Sequence, residues 1–350
     1  MTSGGGNYFE DFRTGQTLNH APARTVSVGD VALYTALYGG RFAPQSSDEF
    51  ARSLGLPAAP IDDLLVFHLV FGKTVPEVSL NAIANLGYAE CRFLKPVFPG
   101  DTLSSRSEVL GSRENSNRES GIVYVRSTGF NQRQEPVLSY ARWVMVRKRS
   151  AAADAPEAQT PKLASAVEAE QLVTDGSVRF ASFDRSGTGG PTFFDDYEVG
   201  ARIDHGDAMT VEDAEHMMAT RLYHNTARVH FNAHSEKQGR FGRRIVYGGH
   251  VISIARGLSF NGLANAWFVR GINAGRHVAP CFAGDTVYAW SEILAKAPAS
   301  GRSDFGYLRV RTVATKDRPC GDFPFKTGSD GTYDPSVILD LDYWVLMPKA

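Results

Sequence analysis

The residues best suited to proton chemistry lie close together, between Leu222 and Gly257. Asn225 and His230 are five positions apart, just after a helical segment. Histidine titrates near neutrality, so His230 suits the role of taking a proton from one group and handing it to another. Asn225 can orient a water molecule but cannot exchange a proton near pH 7. A basic glycine loop follows, Gly239-Arg240-Phe241-Gly242-Arg243-Arg244, whose guanidinium groups suit phosphate. Tyr247-Gly248-Gly249-His250 then opens an apolar helix. A helix start led by glycine offers backbone N–H groups to developing negative charge. Together these features point to an acid–base site beside a nucleotide-bearing ligand.

The elements that must position this stretch occur twice. Phe9-Glu10-Asp11-Phe12, then Gly15, recurs as Phe194-Asp195-Asp196-Tyr197, then Gly200, an offset of 200 − 15 = 185. Leu37-Tyr38 becomes Leu222-Tyr223 at the same offset, and Phe98 to Leu103 becomes Phe282 to Val287 at 184. Arg142-Trp143-Val144-Met145 resembles Tyr343-Trp344-Val345-Leu346 at 201, which places an insertion in the second copy, within Cys320 to Pro335. A long period seen twice means two copies of one domain. Residues 1–149 form the first and 191–350 the second. Residues 150–190 are rich in Ala and Pro and read as a linker, ending in a flexible glycine loop.

Each copy has the same order of elements. A short turn and a strand-like piece precede a helix, N-capped by Ser27 in one copy and by Thr210 in the other, where Thr210 with Asp213 has the form of a capping box. A second helix is apolar on every side, as in Leu64 to Phe71, and so is expected to be buried all round. β-rich runs follow, punctuated by the turn signals Gly100-Asp101 and Gly284-Asp285. The fold predicted is α+β: in each copy, an antiparallel sheet wrapped around a buried helix.

Composition narrows the function. With 43% hydrophobic and 21% charged residues, the 350-residue chain reads as soluble and globular. Its 37 basic and 38 acidic residues leave no basic excess for nucleic acid. No apolar run reaches the ~18 residues of a membrane span. Cys91, Cys281 and Cys320 are far apart and form no zinc pattern, so buried thiols in a reducing cytoplasm are expected, with no metal.

The opening F-x-D-[FY]-x-x-G, the Asn225-x₄-His230 pair and the Tyr247-Gly248-Gly249-His250 helix start resemble the MaoC-like (R)-specific enoyl-CoA hydratases. The segments 33–90 and 219–266 are similar, more specifically, to the mesaconyl-CoA hydratases (β-methylmalyl-CoA dehydratases) of the ethylmalonyl-CoA pathway. The resemblance implies a double hot-dog fold and reversible addition of water across the double bond of an acyl-CoA thioester. It implies no cofactor, CoA being part of the substrate. A cytoplasmic enzyme that forms a homo-oligomer is expected. The family's catalytic His falls on His230, and its Asp position falls on Asn225, a departure from the pattern. In the first copy the same offset gives 225 − 185 = Gly40 and 230 − 185 = Gln45, which exchange no proton, so one site per chain is expected.

Further roles follow from the resemblance. With Asn at the acid position, either His230 works alone or a carboxylate assists, with Asp62 and Asp63 as candidates. Gly248 and Gly249 would hold the thioester oxygen. Tyr247, where the family more often has His, would line the pocket. Arg228, Arg240, Arg243 and Arg244 are expected to bind substrate, through the CoA phosphates or the free carboxylate, and Arg221 and Arg256 join the candidates for that carboxylate. His68, His224, His250 and His277 read as structural. The alternatives are a hydratase for another enoyl-CoA, a hot-dog thioesterase and a non-catalytic acyl-CoA-binding module. Release of free thiol would separate the thioesterase from the hydratases.

Overall fold

The computed structural model describes residues 5–174, 176, 178–180, 183–328 and 330–349. Each half opens on a single 3₁₀ turn, Phe9–Asp11 and Phe194–Asp196. An aspartate closes each turn: Asp11 accepts the Tyr8 N–H at 2.9 Å, and Asp196 accepts the Phe193 N–H at 2.7 Å. The ring that follows is seated on a glycine of the sheet. A Cβ on Gly121 or Gly306 would overlap Phe9 or Phe194 respectively.

The first half continues with β1 (Thr17–Thr25), α1 (Val28–Tyr38), α2 (Asp63–Thr74), β2 (Ala82–Phe93), β3 (Thr102–Glu114), β4 (Ser120–Phe130) and β5 (Pro136–Arg147). The second contains β6 (Arg202–Thr210), α3 (Asp213–Leu222), α4 (Gly248–Leu258), β7 (Phe268–His277), β8 (Thr286–Pro298), β9 (Phe305–Lys316) and β10 (Val337–Pro348). All ten strands form one sheet in the order β1-β3-β4-β5-β2-β7-β10-β9-β8-β6, a palindrome of equivalent strands. Its centre is the antiparallel β2–β7 pair, with Cys91 opposite Ile272 and Arg92 opposite Gly271. Every residue of α2 is buried, as is all of α4 after Gly248. A helix apolar on every side needs such a wrapping, because no face is suited to water.

A pseudo-twofold axis relates the halves, and residues on it meet their own counterparts, as an isologous contact requires. The Tyr38 and Tyr223 hydroxyls are 2.6 Å apart (223 − 38 = 185). His68 Nε2 lies 2.9 Å from Ser253 Oγ (253 − 68 = 185). The backbones also meet reciprocally. A Cβ on Gly72 would overlap the Tyr223 carbonyl oxygen, and one on its counterpart Gly257 would overlap that of Tyr38.

Three local expectations change. Ser27 does cap α1, accepting the Asp30 N–H at 3.2 Å. Thr210 caps nothing: it ends β6, its hydroxyl 2.9 Å from that of Thr286, and Glu212 precedes α3 without a side-chain cap. The linker is fastened down rather than slack. The Gln159 N–H donates to Ser112 O at 2.8 Å, and Val167, Leu172, Val178, Phe180 and Phe183 are buried in a core of their own with Trp267 and Trp344. The insertion near Cys320 folds over Trp290, whose indole N–H donates to Pro324 O at 3.0 Å. Among the described residues, no helix is long and apolar enough to cross a membrane.

Candidate active site

A cavity of about 430 Å³ lies between the halves. The first half lines it with Phe71 of α2, Asn85 and Tyr88 of β2, and Arg142 of β5; the second lines it with Asn225, His230, Tyr247 and Gly248.

Asn225 follows α3, its N–H donated to Thr220 O at 3.0 Å. Its side-chain oxygen accepts the Ala227 N–H at 3.0 Å, an Asx-type turn that fixes the carboxamide and leaves its NH₂ to meet a ligand. His230 ends the one-turn helix Arg228–His230. The Ile245 N–H donates to Val229 O at 3.1 Å, which brings residue 245 alongside. His230 Nδ1 lies 3.0 Å from the Ile245 carbonyl, which accepts only from a protonated nitrogen. That contact sets the tautomer and leaves the Nε2 lone pair as the base. Burial pulls the His230 pKa down to about 4, against the opposing pull of the Ile245 carbonyl, so the imidazole is neutral at pH 7. Its ring packs edge-on against Tyr247 with centroids 5.6 Å apart.

Gly248 is the first residue of α4, where backbone N–H groups have no intrahelical acceptor. A Cβ here would overlap the His277 imidazole unless that ring moved. Gly249 turns the other way, onto Tyr247 and His68, and does not line the cavity. Tyr247 is buried with its hydroxyl 3.4 Å from His68 Nδ1, and burial drives that hydroxyl's pKa well above its ordinary value. His277, expected from the sequence to be structural, lines the cavity. His68 and His250 stay in the core, on Ser253 and Tyr38.

The basic loop divides. Arg240 lines the cavity from an exposed position. Arg243 is exposed and stacks on Phe282 at 3.8 Å, and Arg228 is exposed; neither lines the cavity. Arg244 is tied to Asp213 and contacts Phe231 O at 3.4 Å, so it ties the loop to α3 instead of facing the cavity. Arg221 lines a separate hollow with Lys73 and His224, and Arg256 is buried on Phe42 with Ser259. Asp62 and Asp63 do not assist His230. Asp62 caps α2 through the Leu64 N–H at 2.8 Å, Asp63 accepts the Val269 N–H at 2.9 Å, and neither lines the cavity. Among the described residues no carboxylate lines it.

The equivalent space in the first copy is filled. Ile83 and Ala84 line the cavity, whereas their counterparts are Trp267 (267 − 83 = 184) and Phe268 (268 − 84 = 184). Linker residues Phe180 and Phe183 pack on Trp267 with ring centroids 5.7 and 5.1 Å away. Gln45, the counterpart of His230, donates to the Trp267 carbonyl at 3.0 Å. One ligand should therefore bind per chain. Calorimetry with butyryl-CoA, which cannot be hydrated, tests this, and two equivalent sites per chain would contradict it.

The family model for mesaconyl-CoA hydratase matches residues 1–324. The chain is 63% identical over 344 residues to a β-methylmalyl-CoA dehydratase of Chloroflexus aurantiacus, covering 98% of this chain and 97% of that protein. It is 58% identical over 350 residues to a mesaconyl-CoA hydratase of Cereibacter sphaeroides, covering all of both. A crystal structure of a MaoC domain protein dehydratase from Chloroflexus aurantiacus superposes with a TM-score of 0.97 at 62% identity, covering 100% of this chain and 99% of that one. A conserved Mycobacterium tuberculosis protein with a double hot-dog fold superposes at 0.74 and 25% identity, covering 98% of this chain and 99% of that one. The fold is thus the double hot-dog.

Proposed function

The chain belongs to the mesaconyl-CoA hydratase family, and from that membership together with the site geometry we propose that it hydrates mesaconyl-CoA to β-methylmalyl-CoA reversibly, as a hydro-lyase. The observation that carries the mechanism is His230, neutral and held through Nδ1 by the Ile245 carbonyl in a cavity that also exposes the start of α4. His230 Nε2 accepts a proton from water as the water oxygen bonds to the β-carbon. The π electrons move onto the thioester oxygen, where the Gly248 N–H at the positive end of α4 stabilises the enolate. The enolate then takes a proton at its α-carbon. With no carboxylate lining the cavity among the described residues, the His230 imidazolium is the group that returns it. The Asn225 NH₂ donates to the water oxygen and aims it. Dehydration runs the same steps backwards.

The test is to follow the enoyl-thioester absorbance of mesaconyl-CoA together with free thiol. Loss of absorbance without thiol supports hydration, and stoichiometric thiol would make the chain a thioesterase. The pH profile adds a second check. Only neutral His230 is a base, and burial lowers its pKa to about 4. Activity is therefore present above that value and lost as the pH falls through it. The acid limb of kcat/KM, which reports the free enzyme, should lie well below the ordinary histidine value. A limb centred near 6.5, the unperturbed value, would show that His230 is not held as described.

This reading places the enzyme in the ethylmalonyl-CoA pathway. A reducing cytoplasm suits its three cysteines, all free and buried.

A further inference from the structure

We propose that Arg142, a residue of the first half, holds the free carboxylate of the substrate and so selects a dicarboxylic acyl-CoA over a plain enoyl-CoA. The inference rests on the hydration site proposed above. Arg142 is fully buried, yet it lines the cavity. Its guanidinium lies 4.1 Å over the Phe71 ring. Nη2 donates to Thr74 Oγ1 at 2.7 Å and to Ser79 Oγ at 3.3 Å. Nε and Nη1 have no acceptor among the described residues. No carboxylate among the described residues pairs with it, and burial pulls its pKa down.

A guanidinium cannot relieve burial by losing its proton, and a buried charge is normally paired. An arginine held against an aromatic face, with two nitrogens free and a cavity beside it, is therefore built to meet an anion that arrives with the ligand. The acyl end of a simple enoyl-CoA brings no charge. The substrate of this family brings one carboxylate there. One further group points the same way. Both polar atoms of the Asn85 side chain are buried without partners, and Asn85 lines the same cavity. Its NH₂ supplies a second donor for a carboxylate.

The other arginines near the site are less suited. Arg240 also lines the cavity, but from the exposed loop, where water already solvates its charge. Arg221, Arg228, Arg243, Arg244 and Arg256 do not line it.

The test compares Arg142→Met and Arg142→Lys with the unaltered chain on mesaconyl-CoA and crotonyl-CoA. Arg142→Met should lose ~10²–10⁴-fold in kcat/KM on mesaconyl-CoA and far less on crotonyl-CoA, because a site built for a polar group discriminates steeply by its presence. Arg142→Lys, which keeps the charge, should recover part of the mesaconyl-CoA activity. Equal proportional losses on both substrates would overturn the assignment. If the variants do not fold, the unaltered chain decides the matter through binding of two saturated thioesters. Succinyl-CoA should bind about tenfold or more tighter than butyryl-CoA, the range for hydrogen bonds to a charged group. Equal affinities would overturn the proposal. Its failure is distinct from failure of the hydratase reading. Mesaconyl-CoA turnover that responds to Arg142 no differently from crotonyl-CoA turnover removes only Arg142. A chain that hydrates crotonyl-CoA and not mesaconyl-CoA removes both.

Discussion

His230→Ala is expected to lower kcat about 10²-fold or more while the chain stays folded, the usual contribution of a positioned acid–base group. The cavity holds few substitutes. Among the described residues it is lined by no carboxylate, and its other imidazole, His277, packs against Gly248. His230→Asn makes the sharper control. An asparagine NH₂ can still donate to the Ile245 carbonyl, where Nδ1 donates now, but it has no proton acceptor of imidazole strength. If holding the loop near Ile245 is the main task of His230, the Asn variant should recover activity. If proton transfer is the task, Asn and Ala should be equally inactive, with melting temperatures near that of the unaltered chain. A folded His230→Ala variant that keeps more than about a tenth of the rate would remove His230 from the mechanism.

The second large effect is on stability. Gly72→Ala should destabilise the chain by about 3 kcal/mol or prevent folding, the upper end of what overpacking costs. The added carbon would overlap the Tyr223 carbonyl oxygen and stand 3.2 Å from the Asn225 backbone nitrogen. Both are backbone, so neither can swing aside. Gly257→Ala makes the mirror-image collision with the Tyr38 carbonyl and should behave alike. Gly29, in the first turn of α1, is the control: its nearest neighbour would be Ser27 Oγ at 3.5 Å. Gly29→Ala should be neutral or slightly stabilising, since alanine favours a helix over glycine by ~0.5–1 kcal/mol. Denaturant unfolding of the three variants checks this. A Gly72→Ala chain as stable as the Gly29→Ala chain would mean that the halves do not meet as described. The Gly72 collision also adjoins Asn225, so a folded Gly72→Ala chain should lose activity as well.

The architecture was legible because periodicity survives divergence. Offsets of 184 and 185 return the same turn, helix and strand, and two copies of one topology give the palindromic strand order. The burial of α2 was legible because Leu64 to Phe71 leaves no polar face beyond His68. The loop arginines misled because charge in a sequence carries no direction. Arg244 pairs with Asp213 and Arg243 stacks on Phe282, and neither lines the cavity. Arg142 was overlooked because it lies in the first half, in a strand, far along the chain from the stretch that carries His230. A signal existed: a lone arginine at an inward position of β5, where its counterpart Tyr343 carries no charge. Packing of the linker aromatics on Trp267 is a tertiary fact, and composition alone made 150–190 look slack.

The fastened linker has a consequence for mass action. The cavity takes Phe71 and Arg142 from one half and His230 from the other. In a dimer of separate chains such a shared site would come apart on dilution. Here the halves are tethered, so each sees the other at a fixed effective concentration and turnover per chain should not depend on how much enzyme is present. Tethering also lifts a constraint of symmetry. In a homodimer every substitution appears on both sides of the axis, so no side chain can be small at one site and large at the other. Within one chain, Ile83 and Ala84 keep one cavity open while Trp267 and Phe268 close its twin, and the first half is freed to act as a wall.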